Sequence, residues 1–204
     1  MNSEYWNKDY YEKNYYKLDD ITQIWVKDYE YLLKNKGKVL DLGCGMGEFT
    51  KYFLNNGYET ISIDISEKAL SILNSNIDNA TTICLDMSKG LPFDNCSFDI
   101  VFSNLSLHFF DDSTTSFIIS EIHRILKNNG LIIGSVNTEE SIKKLKKDAI
   151  KIEDNYYINN GICQRIWTNK QFEYFNKFTV VLKKKKKIVR WGKENMNYIF
   201  IFRK

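Results

Sequence analysis

Gly43, Gly45 and Gly47 alternate within VLDLGCGMGEF, behind a short apolar run that contains one carboxylate, Asp41. A strand turning sharply into a helix needs residues that tolerate unusual φ, and glycine does so at the lowest steric cost. Missing side chains also let a ligand reach the backbone. The helix N-terminus just beyond offers free N–H groups and a positive dipole end. Asp64 closes a second β-rich run about twenty residues after the first glycine, the place where doubly wound folds set a carboxylate against ribose hydroxyls. Asp86 closes a third run, so both acids are expected along the carboxyl edge of one sheet. Glycines and acids together point to a nucleoside site.

The next residues narrow the ligand. Gly43-Cys44-Gly45-Met46-Gly47-Glu48 reads GxGxG and puts Glu48 where the dinucleotide fingerprint has its third glycine. A carboxylate in the first helical turn repels a pyrophosphate. No Gly-Lys-Ser/Thr follows, so a phosphate loop fails as well. A nucleoside without phosphate is favoured.

Elements that would position these residues follow from periodicity. Val39–Leu42, Thr60–Ile63, Thr81–Leu85, Phe98–Phe102 and Leu131–Val136 read as strands. Helices are expected over Glu48–Asn56, closed by Gly57, and over Glu67–Leu73, capped by Ser66. Another is expected over Thr114–Lys127, stopped by Asn128-Asn129-Gly130. Before them, Ile21, Ile24, Trp25, Tyr29, Leu32 and Leu33 share a helical face, with Asp20 as N-cap and Gln23 three residues on. Such alternation implies right-handed crossovers and a mostly parallel sheet, an α/β doubly wound fold. Thr138–Ile152 reads as a helix capped by Thr138, and Thr168 as the cap of a short helix through Phe175. Phe178–Trp191 and Met196–Arg203 should pair antiparallel and finish the sheet with a hairpin. We expect one domain, 1–204: an N-terminal helical lid segment (1–36), a cofactor-binding core (37–136), and a helix, acceptor-side segment and closing hairpin (137–204).

At this point the sequence resembles the class I S-adenosylmethionine-dependent methyltransferases, in particular the small single-domain type 11 and type 25 members. The likeness covers roughly Lys38 to Val136. VLDLGCGMGEFT is similar to the family's first motif and ISIDISEKAL to its second. LDMSKGLPFDNCSFDIVFSNLSLHFF is similar to the third and fourth, and EIHRILKNNGLIIGSV to the helix, turn and strand that follow. The resemblance implies a Rossmann-like fold with S-adenosyl-L-methionine as cofactor and S-adenosyl-L-homocysteine as product. It implies that Gly43, Cys44 and Gly45 meet the methionine part and that Asp41 helps hold its amino group. Asp64 would take the ribose hydroxyls, and Ile65 would pack on adenine. Asp86 would accept from the adenine amino group beside the Met87 backbone. Ser103 and Asn104 would line the methionine side.

Methyl transfer from a sulfonium needs alignment above all, and a base only when the acceptor must lose a proton. His108 follows the fourth strand and is the candidate base, since an unperturbed imidazole titrates near neutrality. The rival reading is a loop histidine that packs or caps locally. His123 reads as a surface residue. Aromatics at Tyr5, Trp6, Tyr10, Tyr11, Tyr15 and Tyr16 form either a lid or a packed face. Lys183–Lys187 falls in a strand, so alternation sends lysines to both faces and marks an edge.

Composition trims the alternatives. A net charge of +3 is too small to argue by itself for a polyanionic partner. No apolar run reaches the roughly 18 residues of a membrane span, and no secretory signal is visible, so we expect a cytoplasmic protein. Cys44, Cys84, Cys96 and Cys163 lack metal-binding spacing and read as free thiols, with no metal. A small-molecule methyl acceptor is the first expectation. An RNA-modifying enzyme on the same fold and a non-catalytic S-adenosylmethionine-binding regulator are the alternatives.

Overall fold

The computed structural model describes residues 3–11, 23–33, 36–190 and 192–204. Asp20 and Ile21 of the expected first helix lie outside the described residues, as do Tyr15, Tyr16, Trp191 and the side chains of Tyr10 and Tyr11. Strands and helices alternate from Lys38 onward: β1 Lys38–Leu42, α1 Glu48–Asn55, β2 Glu59–Asp64, α2 Glu67–Asn76, β3 Thr81–Cys84, β4 Phe98–Asn104, α3 Asp112–Ile125 and β5 Leu126–Asn137. After them come β6 Ile150–Glu153, β7 Tyr156–Asn159, β8 Ile162–Arg165, β9 Thr179–Arg190 and β10 Lys193–Arg203. The main sheet has the order β3-β2-β1-β4-β5-β10-β9. Its first five strands run parallel, and β10 and β9 are antiparallel. The fold is the doubly wound one expected, finished by an antiparallel hairpin.

Local chemistry explains the element ends. Ser66 Oγ accepts from Ala69 N–H at 3.1 Å and starts α2. Asp111 caps α3 through Thr114 N–H at 2.7 Å. Thr168 and Gln171 form a reciprocal capping box over the 3₁₀ turn Asn169–Phe175. Helix α3 stops at Ile125, three residues before the Asn128-Asn129-Gly130 expected to end it. Cys96 and Ser97 N–H bond to the Arg124 and Ile125 carbonyls, and the chain passes into β5.

Two apolar layers flank the sheet. One gathers Ile118, Ile122 and Ile125 of α3 with Phe200, Phe202 and Trp167. The other packs Trp25 and Tyr29 on Phe49, Phe53 and Phe102, with Trp25 stacked on Phe102 at 5.6 Å. The described part of the expected first helix is the 3₁₀ helix Trp25–Leu32, whose buried face is Trp25, Val26 and Tyr29. Within the sheet, Phe200 covers Gly134 so closely that a Cβ there would lie 2.3 Å from its ring. Gly134→Ala should therefore cost about 1–3 kcal/mol through overpacking, read by urea denaturation.

One expected element is absent. Thr138–Ile152 is not a helix: only Glu139–Lys144 makes a 3₁₀ turn, with no buried side chain, and Ile150 starts a strand. A lone helix of that length is held by a buried stripe, and Ile142, Ile150 and Ile152 are all exposed. The chain instead pairs as a three-stranded meander, β6-β7-β8. Its two-residue turns are Asp154-Asn155 and Asn160-Gly161, with positive φ at Asn155, Asn160 and Gly161.

At the sheet edge, the five lysines of β9 divide between the faces. Lys184 and Lys186 lie over the Tyr29 ring, Lys183 over Phe172, and Lys185 over Tyr198. Lys186 also pairs with Asp28, Lys185 with Glu139 and Lys187 with Glu194. Gln23 covers part of the same edge: its N–H bonds to Val189 O at 2.9 Å. Among the described residues no helix is long and apolar enough to cross a membrane.

Candidate functional site

The carboxyl edge of the parallel strands opens into a cavity of about 540 Å³. Its floor is the turn between β1 and α1. Gly43, Gly45 and Gly47 all have positive φ. The reasons differ. A Cβ on Gly43 would meet Ser106 Cβ at 2.5 Å, and one on Gly47 would meet Leu73 of α2 at 2.6 Å. These two glycines thus serve the protein's own packing as much as access to the backbone. Gly43 and Cys44 N–H bond to Ile63 O at 2.8 and 3.0 Å, which pins the turn to β2.

Three carboxylates converge on this end: Asp41, Glu48 and Asp64 line the cavity beside Gly43, Cys44 and Gly45. Asp64 is a hinge pin. One oxygen accepts from Gly45 N–H at 2.9 Å and the other from Ser66 N–H at 2.9 Å. Burial raises its pKa, and the backbone N–H groups oppose that rise. Asp41 accepts from Thr50 Oγ at 2.7 Å, and Thr50 in turn meets Ser62 Oγ. Burial pushes Asp41 up to about 7; the Thr50 hydrogen bond works the other way, while the charges of Glu48 and Asp64 add to the rise. Burial also raises the Cys44 thiol. Glu48 Oε1 is buried with no hydrogen-bond partner among the described residues.

Three neighbouring acids in a buried wall call for a cation. The ligand-free protein should show that strain. Asp41 stays protonated in the fold at pH values where the unfolded chain ionises it. Its contribution to stability is full below about pH 4 and is lost as pH rises towards 7. Asp41→Asn keeps an acceptor for Thr50 without the charge. It should melt with wild type near pH 4 and several degrees above it at about pH 7.5, by calorimetry without ligand.

Other walls come from loops. Ile65 and Met87 flank the acidic end, with Leu85 between them in the wall. Asn104 lies at the end of β4, its Oδ1 fixed by Trp25 Nε1–H at 3.1 Å and Ser135 Oγ–H at 2.6 Å. His108 stands beyond it, 6% exposed, with Nδ1 lacking a partner among the described residues. Burial, then the Arg190 charge, pushes its pKa down to about 3. The neutral-range titration expected of His108 is thereby corrected: the imidazole is uncharged throughout the physiological range. His123 is a partly exposed helix residue edge-on to Phe178.

Two expected site residues are not in the wall. Ser103 is fully buried, and its Oγ donates to Ser106 Oγ at 2.7 Å, because Ser106 donates onward to Leu42 O at 2.8 Å. Ser106 takes the wall position instead. The Asp86 carboxylate caps its own 3₁₀ turn, accepting from Ser88 N–H at 3.0 Å and Ser88 Oγ at 2.6 Å. The N-terminal turn Tyr5–Tyr11 reaches the site: Tyr5 and Trp6 line the cavity, and Trp6 meets the Phe109 ring at 4.8 Å. Asn7 Oδ1 fastens this turn to α2 through Ser66 Oγ–H at 2.7 Å.

The far wall takes Asn159 and Gln164 from the expected acceptor-side segment, and Arg190, Lys193, Asn195 and Asn197 from the hairpin, which the sequence did not mark as a wall. The Asn-Gly turn was a legible signal for the meander. Among the described residues no cluster is placed to hold a metal ion, and the four cysteines are unpaired.

Comparisons with known proteins agree with the fold. The methyltransferase-domain family matches residues 40–134. A methyltransferase of Synechocystis is 37% identical over 94 residues, 46% of this chain and 44% of the relative. A malonyl-[acyl-carrier protein] O-methyltransferase of Hamiltonella defensa is 28% identical over 61% of this chain and 47% of its own. The chain spans about half the length of the curated relatives it matches. Among solved structures, the PH0226 protein of Pyrococcus horikoshii superposes with a TM-score of 0.74 at 25% identity, covering 96% of this chain and 98% of that one. A 1,6-didemethyltoxoflavin-N1-methyltransferase of Burkholderia thailandensis, with S-adenosylhomocysteine bound, shares the fold: TM-score 0.69, 19% identity, 91% of this chain and 79% of that one. Motif order, strand order and these likenesses agree, and together they support a class I S-adenosylmethionine-dependent methyltransferase.

Proposed function

We propose that the protein binds S-adenosyl-L-methionine at the acidic end of the cavity and transfers its methyl group to a small-molecule acceptor held at the far end. The observation that carries this reading is the convergence of Asp41, Glu48 and Asp64 on a glycine turn, with an unpartnered carboxylate oxygen on Glu48. That donor set suits a nucleoside bearing positive charge and no phosphate. In this reading the Gly43–Gly45 backbone and Asp41 hold the aminoacyl part. Asp64 takes the ribose hydroxyls, while Ile65 and Met87 enclose adenine with Asp86 at the turn beside them. Asn104, rigidly held, flanks the methionine side, and Ser103 supports it from below through Ser106.

The cofactor supplies a methyl carbon already activated by its sulfonium. Bound there, it would offer that carbon to an acceptor's lone pair, the electrons of the broken carbon–sulfur bond staying on sulfur in S-adenosyl-L-homocysteine. The protein's part is alignment and exclusion of water. His108, neutral and buried, serves as a hydrogen-bonding wall residue for the acceptor; an acceptor that is already anionic, or an amine that is already neutral, needs no base from it. Tyr5 and Trp6 close the site as a lid.

The small-molecule reading is supported over RNA by the lysine run, since each of Lys183–Lys187 lies over an aromatic ring or pairs with an acid of this chain. The relatives' names include both an O- and an N-methyltransferase, so likeness does not choose the acceptor atom. The test is turnover. Protein incubated with S-adenosylmethionine and a nuclease-treated metabolite extract should release S-adenosylhomocysteine and a methylated small molecule. Turnover with RNA alone would replace the acceptor; binding with no turnover on any acceptor would make the protein a sensor.

A further inference from the structure

Buried polar side chains in the cavity wall find partners within the protein: Asp41 is held by Thr50, Asp64 by two backbone N–H groups, and Asn104 by Trp25 and Ser135. His108 differs. It is 6% exposed and lines the cavity, yet its Nδ1 has no hydrogen-bond partner among the described residues. A buried nitrogen left unpaired costs stability, and a ligand that pairs with it recovers that cost. The loop that carries His108 is also held still. Leu105 has a φ of +56°, a conformation that a leucine adopts at a steric cost and keeps only where its surroundings impose it. Its N–H bonds to Ser135 O at 2.9 Å, and Ser106 Oγ–H bonds to Leu42 O at 2.8 Å. On the other side Tyr156 Oη–H holds Phe109 O, and Arg165 Nε–H holds Phe110 O. The imidazole packs on the Phe109 ring, centroids 4.1 Å apart and planes tilted by 38°. Strain and anchoring on both sides of an unpaired buried nitrogen fit a preorganised recognition group.

The neighbours of His108 set the shape of what it meets. Phe109 and Leu105 line the cavity on its own loop, and β8, packed against the turn Leu107–Phe109, brings Ile162 to the same wall. Trp6 meets the Phe109 ring edge-on, with planes 75° apart. Such a wall is apolar and ring-lined, and rings pack best on other rings, offset or edge to face. We infer that His108 is the specificity residue for the acceptor, and that the acceptor is a flat aromatic ring bearing an O–H or N–H that donates to His108 Nδ1 while the ring packs against Phe109. The inference rests on the proposed reading for the methyl donor, but not for the ring's own binding. Burial, then the Arg190 charge, keeps the imidazole neutral, so with its proton on Nε2 it offers a lone pair at Nδ1. A ring without the donor leaves Nδ1 buried and unpaired, and the site discriminates against it for that reason. A saturated ring of the same size forfeits the packing on Phe109.

Ligand-observed NMR titration tests this, with and without saturating S-adenosylhomocysteine. The probes are two matched pairs, phenol with anisole and indole with 1-methylindole, and cyclohexanol as the saturated counterpart of phenol. We expect a donor ring to bind at least about fivefold tighter than its methylated partner, and phenol to bind tighter than cyclohexanol by a similar factor. The pair with the larger preference names the donor as O–H or N–H. His108→Phe keeps a ring against Phe109 and should erase the preference, while S-adenosylhomocysteine still binds. Phe109→Leu should weaken all four aromatic probes several-fold and leave the preference in place. No preference in either pair on the wild-type protein, cyclohexanol binding as tightly as phenol, or a preference that survives His108→Phe would overturn the assignment. A donor preference that His108→Phe erases, in a protein that binds no S-adenosylhomocysteine, would instead fail the cofactor reading alone.

Discussion

Asp64→Ala should abolish the stabilisation that S-adenosylmethionine gives to the wild-type protein, with affinity lowered at least about 100-fold. Two effects add. In the proposed reading the ribose hydroxyls lose a carboxylate acceptor, and hydrogen bonds to a charged group are worth roughly 1.5–3 kcal/mol each. The protein also loses the pin that holds its own binding turn, because the same carboxylate receives Gly45 N–H at 2.9 Å and Ser66 N–H at 2.9 Å. Both amides would be left buried without an acceptor, at about 1–3 kcal/mol apiece. Asp64→Asn separates the two effects. It keeps one oxygen for the turn, leaves the other amide without an acceptor and gives up the charge, so its stability should fall between wild type and alanine while it still binds weakly. Calorimetric titration of both variants, next to their melting curves without ligand, reads the two contributions independently.

Arg165→Ala should cost about 3 kcal/mol of stability and impair the site from a distance. The guanidinium is almost wholly buried yet ion-paired to Asp112 at 3.1 Å and to Glu153. It donates to the carbonyls of Phe110 at 3.3 Å and Asp154 at 3.0 Å, and lies over the Tyr156 ring. Removing it empties a large buried volume and leaves those carbonyls short of donors. Asp112 and Glu153 are partly exposed and can rehydrate, which keeps the loss at the low end of what a broken buried pair costs. The consequence for function runs through the loop after β4. Arg165 holds Phe110, and Tyr156 Oη–H holds Phe109 O at 3.1 Å, so the meander clamps the segment that carries His108. Denaturant titration should show the loss of stability. Arg165→Lys, which keeps the charge but not the fork, should fall between wild type and alanine.

The sequence foretold the parts of this protein that are built locally. An apolar run into alternating glycines can only be a strand turning into a helix, and β1–Gly43–α1 is one. Ser66 and Thr168 cap where short-range rules place them. The lysines at 183–187 marked an edge strand because alternation would expose them on both faces. What escaped was decided by tertiary contact. Thr138–Ile152 has helix-forming residues but no buried face, and the Asp154-Asn155 and Asn160-Gly161 turns prevailed. Ser103 and Ser106 are three residues apart and chemically alike; which of them faces the cavity depends on Leu42 O, a backbone group 64 residues from Ser106. Asp86 was placed at the right strand end, yet its carboxylate turned back on Ser88. His108 stood in the expected place with a different charge state, because burial is invisible in a string of residues. Arg190 and its neighbours became a wall only when the hairpin register set them face to face.

The acidic glycine turn is proposed to hold a cationic, phosphate-free nucleoside. The most direct measurement is calorimetric titration of the wild-type protein with S-adenosylmethionine, S-adenosylhomocysteine and NAD across about pH 5.5 to 8. Asp41 must give up its proton to meet a cation, so S-adenosylmethionine affinity should rise with pH through the region of about 7, with proton release visible as a buffer-dependent heat. NAD should show no heat of binding. Saturable binding of NAD, with none of the two S-adenosyl compounds, would rule out that ligand for the turn.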